Sequence, residues 1–382
     1  MALNNKPVEI REVKTKKELR DFVNITDKIY KGSPYYVPSF KADDRSAFDP
    51  KKNLRLKTCK YLTLVAYRGN KPVGRIAGLI QELAKEKTGE QQARFSYFDV
   101  LEDFEAAEAL FKRIEKWALQ NGSAAVHGPL GFNDMDREGM LVEGFDSTGT
   151  FSSLYNHPYY PEFMERMGYV KDVDWLQFRV TIPDYDSQLF SLLTRVGNKA
   201  LESNNLHIPS IKSQKELLTK YAMPIFNVIN ITYADLYGTV HITDEVARQV
   251  IKDYKMVLSP EFIKIALDKD DNVVAFVLTF PSLSGAIQKS KGRLTPLGIL
   301  RLMNAVKNYH NVDLGIIGVL PEYRDKGVTA ALMVAMAPSF GKHNVKVVET
   351  NLELETNIKI HSLWRHFDKV NHKRNRSYIK KL

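Results

Sequence analysis

The sequence contains little cysteine and no long apolar run, and each of these shortages excludes a class of protein. Its 382 residues include a single cysteine, Cys59, which excludes an internal disulfide and a metal cluster built on cysteine ligands. No apolar run approaches the ~18 residues that a membrane-spanning helix requires. The N-terminal segment also lacks the apolar stretch of a secretory signal. We therefore expect a cytoplasmic protein that has no membrane partner.

Short motifs of metal sites and of serine hydrolases are missing as well. The patterns His-x-x-x-His, His-Glu-x-x-His and Gly-x-Ser-x-Gly do not occur. Asp134, Asp136 and Glu138 have the spacing of the first ligands of a calcium loop, but the rest of that pattern does not follow them. The sequence therefore predicts no metal site.

The net charge of +10 is concentrated near the C-terminus. Residues 1–182 contain 28 Lys and Arg against 26 Asp and Glu, a balance of +2, whereas residues 183–382 contain 27 against 19, a balance of +8. The last twenty residues contain seven basic residues and one acidic residue. Nucleic-acid binding uses a broader basic surface, so we expect no nucleic-acid partner. The terminal segment is either a solvated strand or a surface that faces an anion.

The order of predicted elements occurs twice along the chain. Each half reads as strand, helices, hairpin, strand, helix, strand, helix and strand, and Pro183 separates the two halves. The predicted elements include a helix over 102–122, strands over 207–212 and 345–354, and a hairpin that turns at residues 270–272. A length of 382 residues with 44% hydrophobic residues suits two cores rather than one. We therefore predict an α/β protein with mixed sheets and two domains, residues 1–183 and residues 184–382.

The stretch GVLPEYRDKGVTAAL, residues 318–332, combines the features of an anion site. Apolar strand residues end at Pro321, and a small-residue helix begins after Gly327. The N-terminus of a helix presents unpaired N–H groups and a partial positive charge. Gly327 allows an anion to approach the backbone closely, and Arg324 or Lys326 adds charge-assisted hydrogen bonds. The alternative is an ordinary connection between a strand and a helix.

This stretch resembles the signature of the acyl-CoA N-acyltransferase superfamily, usually called GNAT. The family pattern (Gln/Arg)-x-x-Gly-x-(Gly/Ala) is matched by residues 324–329, apart from Thr329 at its last position. The resemblance implies two tandem acyl-CoA N-acyltransferase-like domains, with acetyl-CoA or another acyl-CoA as co-substrate. It assigns the coenzyme to Ile317, Gly318, Val319, Arg324, Asp325, Lys326, Gly327, Val328, Thr329 and Asn357.

The resemblance is weaker where the family places its general acid. Residues 357–367 resemble the family helix in which a tyrosine returns a proton to the CoA thiolate, but this chain has Trp364 at that position. An indole N–H has no accessible pKa for this task. Tyr378, His361 and His366 are substitutes for that acid. By location, Glu322 and Glu355 are the candidates to accept the proton of the attacking amine.

The first half resembles GNAT proteins in its order of elements, and its phosphate turn is replaced by acidic residues. Residues 101–105 read Leu-Glu-Asp-Phe-Glu, and carboxylates at a helix N-terminus repel a pyrophosphate. This half is predicted to be a degenerate domain. Residues 30–44 and 127–174 resemble a bacterial group of tandem GNAT-like proteins. In the long loop 131–149 and the segment after it, Asn133, Glu138 and Tyr159 are candidates for binding the acceptor.

The leading hypothesis is an N-acyltransferase that joins an acyl group from CoA to a small-molecule amine or amino-acid-like acceptor. A tandem GNAT-fold protein that binds acyl-CoA without catalysis, as a sensor or scaffold, is the alternative. Transfer from an aminoacyl-tRNA is a third possibility, weakly supported by the basic terminal segment and opposed by the near-neutral balance of +2 in the first half.

Overall fold

The computed structural model describes residues 6–255 and 258–382, and at positions 86–88 it describes the backbone. The fold is mixed α/β, as predicted. The strands are β1 (Val8–Glu12), β2 (Cys59–Arg68), β3 (Lys71–Gln81), β4 (Ala93–Val100), β5 (Ala125–Gly128), β6 (Met140–Glu143), β7 (Val170–Thr181), β8 (Ile263–Leu267), β9 (Val273–Pro281), β10 (Asn311–Val319), β11 (Val347–Glu349), β12 (Glu353–Leu354) and β13 (Lys369–Lys381).

Helices alternate with these strands and begin at recognisable cap residues. They are α1 (Lys16–Ile29), α2 (Lys41–Ser46), α3 (Glu82–Thr88), α4 (Phe104–Gln120), α5 (Tyr159–Arg166), α6 (Gln188–Ser203), α7 (Gln214–Glu216), α8 (Ala222–Thr232), α9 (Asp244–Tyr254), α10 (Ser284–Ser290), α11 (Pro296–Lys307), α12 (Val328–Lys342) and α13 (Ile358–Leu363). The hydroxyls of Thr15, Ser187 and Thr243 accept hydrogen bonds from the first turns of α1, α6 and α9.

The chain divides into two compact units. Unit 1 contains the chain up to Leu176 together with Ser284–Leu302 and His372–Leu382, and unit 2 contains Gln177–Leu283 and Met303–Asn371. The division into domains 1–183 and 184–382 remains a prediction. Each compact unit is made of separate stretches of the chain, so the units do not correspond to a single boundary in the sequence.

Unit 1 is built on a sheet in which β1, β2, β3, β4 and β5 are neighbours in that order, followed by β13. β4 and β5 are parallel, and the other neighbouring pairs are antiparallel. The apolar face of α4 packs into the core of this unit, as its helical spacing predicted. The buried residues on that face are Ala107, Leu110, Phe111 and Ile114.

Unit 2 contains the strand order β7, β11, β10, β9 and β8. The hairpin β8–β9 turns at the predicted place, where Asp271 adopts a positive φ of 63°. β10 is antiparallel to β9 and parallel to β11. α12 packs on the sheet and against α6. The predicted helix over residues 326–340 is therefore confirmed, with a buried face of small and apolar residues.

Two expectations for local structure are wrong. Residues 207–212 were expected to form a strand, but only an isolated bridge between His207 and Leu267 occurs there. The basic C-terminal segment forms the strand β13, and several of its side chains, including Lys373, are buried rather than solvated. Within unit 1, Arg376 pairs with the buried carboxylate of Asp174, and other cations of the segment find protein partners as well.

The described residues also bear on membrane insertion and metal binding. Within residues 6–255 and 258–382, no helix combines the length and apolar character needed to cross a bilayer. The same part of the chain has no group of three His, Cys, Asp or Glu side chains that is arranged to hold a metal ion.

Candidate functional site

The turn at residues 324–329 joins β10 to α12 and leaves the N-terminus of α12 open. After β10, residues Pro321–Tyr323 form a single 3-10 turn, and Asp325 and Gly327 then adopt positive φ angles of 59° and 82°. Gly327 is the N-cap of α12, and no side chain in the described part of the chain caps that helix. The first N–H groups of α12 are therefore available to an anion.

Gly327 is required here for two separate reasons. Its φ of 82° is a conformation that other residues adopt only with strain. A Cβ at this position would also lie 2.8 Å from Cγ1 of Val196 and 3.3 Å from Cβ of Ala200, both on α6. One turn further along α12, a Cβ on Gly197 of α6 would lie 2.8 Å from Cα of Ala331. Close packing of α6 on α12 thus fixes the direction in which the open turn points.

Two cations flank the 324–329 turn. Nε of Arg324 donates a 3.1 Å hydrogen bond to the carbonyl of Val319, which ties the guanidinium to the end of β10. Lys326 is exposed, and its Nζ lies 5.7 Å from the centre of the Tyr323 ring. Thr329 is half-buried in the first turn of α12. Together with the helix dipole, these groups give the turn a positive potential that suits a phosphate.

β10 and β11 separate beside this turn. Their parallel pairing covers Asn311–Asp313 and Val347–Glu349, whereas β10 continues to Val319. Two side chains donate hydrogen bonds to carbonyls in the part of β10 that β11 does not pair. Nδ2 of Asn351 donates to the carbonyl of Gly315, and the hydroxyl of Tyr233 donates to the carbonyl of Ile317 at 3.0 Å. A carbonyl oxygen has two lone pairs, so an extended ligand can bond beside these groups.

Gly318 lies in this strand for a packing reason. A Cβ on Gly318 would lie 2.6 Å from Cε1 of Phe276 on β9. The resemblance assigns this glycine to the coenzyme. In the structure its lack of a side chain leaves room for the ring of Phe276 to pack across β10. Asn357, also assigned to the coenzyme, caps α13: its Oδ1 accepts a hydrogen bond from the backbone of Ile360 at 3.3 Å.

A buried carboxyl group lies between β11 and α13. Glu353 is only 7% exposed, and its Oε1 accepts a 2.8 Å hydrogen bond from Nε1 of Trp364. Oε2 has no hydrogen-bond partner within the described residues and lies 3.8 Å from Nε2 of His361. Burial raises the pKa of Glu353 from its ordinary value to about 7, while the Trp364 hydrogen bond and the charge of Lys369 lower it.

Sequence reasoning did not select Glu353, because in the sequence it is one residue of a predicted strand over 345–354. Trp364 was noted there as the residue that replaces a tyrosine. In the structure this tryptophan holds a carboxyl group whose pKa lies close to neutrality. That is the property expected of a group that exchanges protons at neutral pH. Only the packing of α13 over the chain that follows β11 reveals it.

The catalytic candidates chosen from the sequence lie in different environments. Glu322 is exposed in the 3-10 turn before Arg324, and Glu355 is half-buried just after β12. Tyr378 lies in unit 1, where it is 1% exposed within the apolar core. Burial raises the pKa of its hydroxyl, and that hydroxyl has no hydrogen-bond partner in the described chain. Its surroundings are those of a packed aromatic residue.

Of the acceptor candidates, Asn133 and Glu138 share one loop and Tyr159 lies apart from them. The carbonyl of Gly131, in the same loop, accepts a hydrogen bond from Arg94 near the start of β4. The hydroxyl of Tyr159 donates to Val100 at the end of β4. Six residues of strand separate these two points, or about 20 Å.

The loop around Asn133 is closed on itself. Its Oδ1 accepts a hydrogen bond from the backbone of Met135, and the carboxylate of Asp136 pairs with Arg55 at 2.7 Å. Burial, followed by the charge of Asp134, raises the pKa of Glu138 well above its ordinary value. This shift favours the protonated form of the carboxyl group, which can donate a hydrogen bond.

In unit 1 the N-terminus of α4 occupies the position that α12 occupies in unit 2, after a central strand. Here the carboxylate of the N-cap Asp103 accepts a hydrogen bond from the backbone of Ala106. Asp103 also pairs with the buried guanidinium of Arg68 at 2.6 Å, and Glu105 pairs with the same group at 2.8 Å. Both the helix and the carboxylates are thus satisfied without a ligand.

Comparison with known proteins identifies the fold. No model of a known protein family matches the chain. The chain aligns with a tandem GNAT protein from the clavulanic acid biosynthesis pathway at a TM-score of 0.55 and 12% identity, with 98% of each chain covered. It aligns with a GCN5-related N-acetyltransferase from Sphaerobacter thermophilus at a TM-score of 0.52 and 10% identity, covering 98% of this chain and 95% of that one. The predicted resemblance to GNAT proteins and the tandem fold are confirmed.

Two curated proteins are similar in sequence. Protein YghO of Escherichia coli (strain K12) is 25% identical over 381 residues, which cover 98% of this chain and 95% of that protein. A bacterial ceramide synthase of Caulobacter vibrioides is 23% identical over 327 residues, which cover 84% of this chain and 82% of that protein.

Proposed function

We propose that the protein is an acyl-CoA-dependent N-acyltransferase whose coenzyme binds unit 2. The observation that carries this proposal is the open N-terminus of α12, with Gly327 at its N-cap and Arg324 and Lys326 beside it. The fold shared with tandem GNAT proteins supports it. The pyrophosphate of CoA would accept hydrogen bonds from the first turn of α12, and the pantetheine arm would follow the unpaired edge of β10.

The chemistry requires one proton acceptor and one proton donor. A neutral amine attacks the thioester carbonyl, the new C–N bond forms, the C–S bond breaks, and the nitrogen loses one proton while the thiolate gains one. We propose that Oε2 of Glu353 accepts the proton of the amine, because the pKa of this buried group is about 7 and Oε2, 3.8 Å from Nε2 of His361, makes no close hydrogen bond within the described residues. Glu322 and Glu355 stay as alternative acceptors of that proton, and His361, which lies beside Glu353, is the candidate donor to the thiolate.

For the acceptor we propose an amine with a long apolar chain. The name of the C. vibrioides relative states that it makes ceramide, which is an amide of a fatty acid and a long-chain amino alcohol. Extension of that chemistry to this chain implies a fatty acyl-CoA as donor rather than acetyl-CoA alone. A small amino-acid-like acceptor is the competing expectation from the sequence.

One observation favours a binding protein without catalysis as the second candidate. Trp364 occupies the place of the family tyrosine and is 5% exposed, with its N–H bonded to Glu353. If this pair has only a structural role, the chain would bind acyl-CoA without cleaving its thioester, as a sensor does.

The test separates binding from turnover. Calorimetric titration with acetyl-CoA and decanoyl-CoA is expected to show micromolar binding, and Lys326→Gln is expected to weaken it about fivefold by removing one charge-assisted contact. Lys359→Gln, an exposed lysine on α13, is the matched control and should bind as the parent does. Absence of binding by the parent overturns the proposal.

Turnover is followed as thiol release and as amide product by mass spectrometry. Release of thiol with a long-chain amino alcohol supports the transferase, and equal rates with a free amino acid overturn the apolar acceptor. Tight binding of decanoyl-CoA without thiol release across both acceptors selects the sensor.

A further inference from the structure

An apolar face on α11 is open to solvent, where a helix of a globular protein usually presents polar residues. Leu297 and Leu300 are 56% and 62% exposed. Because residues three apart share one side of a helix, these side chains form a stripe. We call this the α11 face, and it consists of Leu294, Leu297, Ile299 and Leu300.

Cations accompany the α11 face, and acidic residues are missing from the sequence around it. Between Asn272 and Val312 the chain contains no Asp or Glu, whereas it contains five basic residues. These are Lys289, Lys291, Arg293, Arg301 and Lys307. An amphipathic helix with leucines on one side and lysines and arginines beside them is the pattern of a segment that lies in the interface of a bilayer.

The segment is anchored rather than loose. Nη1 of Arg301 donates a hydrogen bond to the carbonyl of Lys289, which ties α11 to the end of α10. The backbone of Lys41 donates to the carbonyl of Gly292 at 2.9 Å. The neighbouring acid, Asp27, is neutralised by Arg293 at 3.3 Å and by Lys41 at 3.0 Å. A fixed apolar face therefore reaches solvent beside cations that form no ion pair within the described residues, namely Lys289, Lys291 and Arg301.

We propose that the α11 face docks the protein on an anionic lipid bilayer. The leucines enter the boundary between headgroups and acyl chains, and the cations contact lipid phosphates. A second copy of the chain is a poor occupant, since a symmetric contact would bring five cations against five. This proposal does not depend on the acyl-transfer reaction, although a surface of this kind would bring the enzyme to an acceptor dissolved in the membrane.

Sedimentation with large vesicles tests the proposal on the full chain. Binding is expected to phosphatidylcholine vesicles containing about 30 mol% phosphatidylglycerol, and to be much weaker to phosphatidylcholine alone. Raising the salt from about 0.1 M to about 0.5 M should weaken it, because screening reduces the attraction between cations and lipid. No binding to the anionic vesicles overturns the proposal.

The double variant Leu297→Ser/Leu300→Ser is expected to lower the partition coefficient at least about tenfold, since each leucine loses its burial in lipid. The matched control is Leu119→Ser on α4, where a leucine of equal exposure, 56%, lies outside the basic segment. Equal loss in the control and the double variant contradicts the assignment. Sedimentation velocity without lipid gives the last arm: a dimer that the double variant converts to monomer would make the face a self-interface and overturn membrane docking.

Discussion

The N-termini of α4 and α12 show how one fold produces a closed helix end in one unit and an open one in the other. α4 begins with Asp103, whose carboxylate bonds both the helix backbone and the buried Arg68. α12 begins with Gly327, which offers no side chain, and two cations stand beside it. Each helix follows a strand of its own unit, β4 or β10, although the connection to α12 also contains the 3-10 turn Pro321–Tyr323.

The difference is one of charge placement rather than of topology. In α4 the second residue is Glu105, and in α12 the second residue is Thr329. A carboxylate at this place favours the helix dipole but excludes an anionic ligand. The same topology thus allows one helix end to be closed by a side-chain cap and the other to stay open to an anion.

Removing the cap of α4 is expected to have the largest effect. Asp103→Ala should lower the free energy of unfolding by about 4 kcal/mol, because it removes a cap and leaves a buried Arg68 with weaker compensation. Asp103→Asn keeps a cap oxygen and should cost less. Urea unfolding measures both, and a loss in Asp103→Ala no larger than in Asp103→Asn would contradict the role of the cap oxygen.

The pH dependence of this effect has a defined sign. The Arg68 side chain holds the pKa of Asp103 below its ordinary value despite its burial. A depressed folded-state pKa stabilises the fold above the unfolded-state pKa, and this stability is lost as the pH falls through the folded value. The difference between the parent and Asp103→Ala should therefore shrink only in strong acid.

Transplanting the acid of α4 into α12 should abolish the anion site. Thr329→Glu places a carboxylate at the position that corresponds to Glu105 and is expected to weaken acyl-CoA binding about 100-fold, or about 2.7 kcal/mol. Thr329→Gln is the control of similar size without the charge. Calorimetry gives the affinities, and equal affinities of the two variants would show that no anion binds there.

A matched pair of glycine-to-alanine variants distinguishes the packing role of Gly327 from the cost of a positive φ alone. Gly327→Ala is expected to lower the free energy of unfolding by about 2 kcal/mol, from strain at positive φ and from contact with α6. Gly122 has a similar φ of 76° but open space around its Cα, so Gly122→Ala should cost about 1 kcal/mol. Thermal unfolding compares them, and equal costs would remove the packing argument.

Glu353→Gln is expected to change stability and rate in opposite directions. The pKa of Glu353 is raised from 4.5 to about 7, so the parent binds this proton more tightly when folded and loses stability as the pH rises from about 4.5 to about 7. The variant should be about 3 kcal/mol more stable than the parent at pH 8 and equal at pH 4.

In the same variant, the rise of kcat/KM with an apparent pKa near 7 should disappear, since the base is gone. A pH–rate profile that keeps this limb in Glu353→Gln would remove Glu353 as the proton acceptor. A parent whose stability does not fall between pH 5 and pH 8 would contradict the buried, protonated state.

The smallest effect is expected for Tyr378→Phe. The hydroxyl lies in the core of unit 1 and has no hydrogen-bond partner in the described residues. Its removal should change the free energy of unfolding by less than about 0.5 kcal/mol and leave kcat unchanged. A large drop in kcat at constant stability would instead support the sequence-based assignment of this tyrosine as the acid.

Local features were predictable from the sequence because their causes are local. The amphipathic face of α4, the turn at Asp271 and the start of α12 after Gly327 follow from spacing, from turn chemistry and from the one residue that tolerates positive φ. The strand predicted at residues 207–212 does not form, because strand pairing depends on a distant neighbour and here it is limited to the isolated bridge between His207 and Leu267.

The sequence by itself determined that one helix N-terminus carries acids and the other carries a glycine with cations, since those residues are adjacent in the chain. Three features became visible only in the folded chain. They are the hydrogen bond between Trp364 and Glu353, the pairing of Arg376 in the basic terminal strand with Asp174, and the exposure of the leucines of α11. A pKa depends on burial and on partners that are distant in the chain, and so does the exposure of a side chain. The spacing of residues in the sequence does not give either quantity.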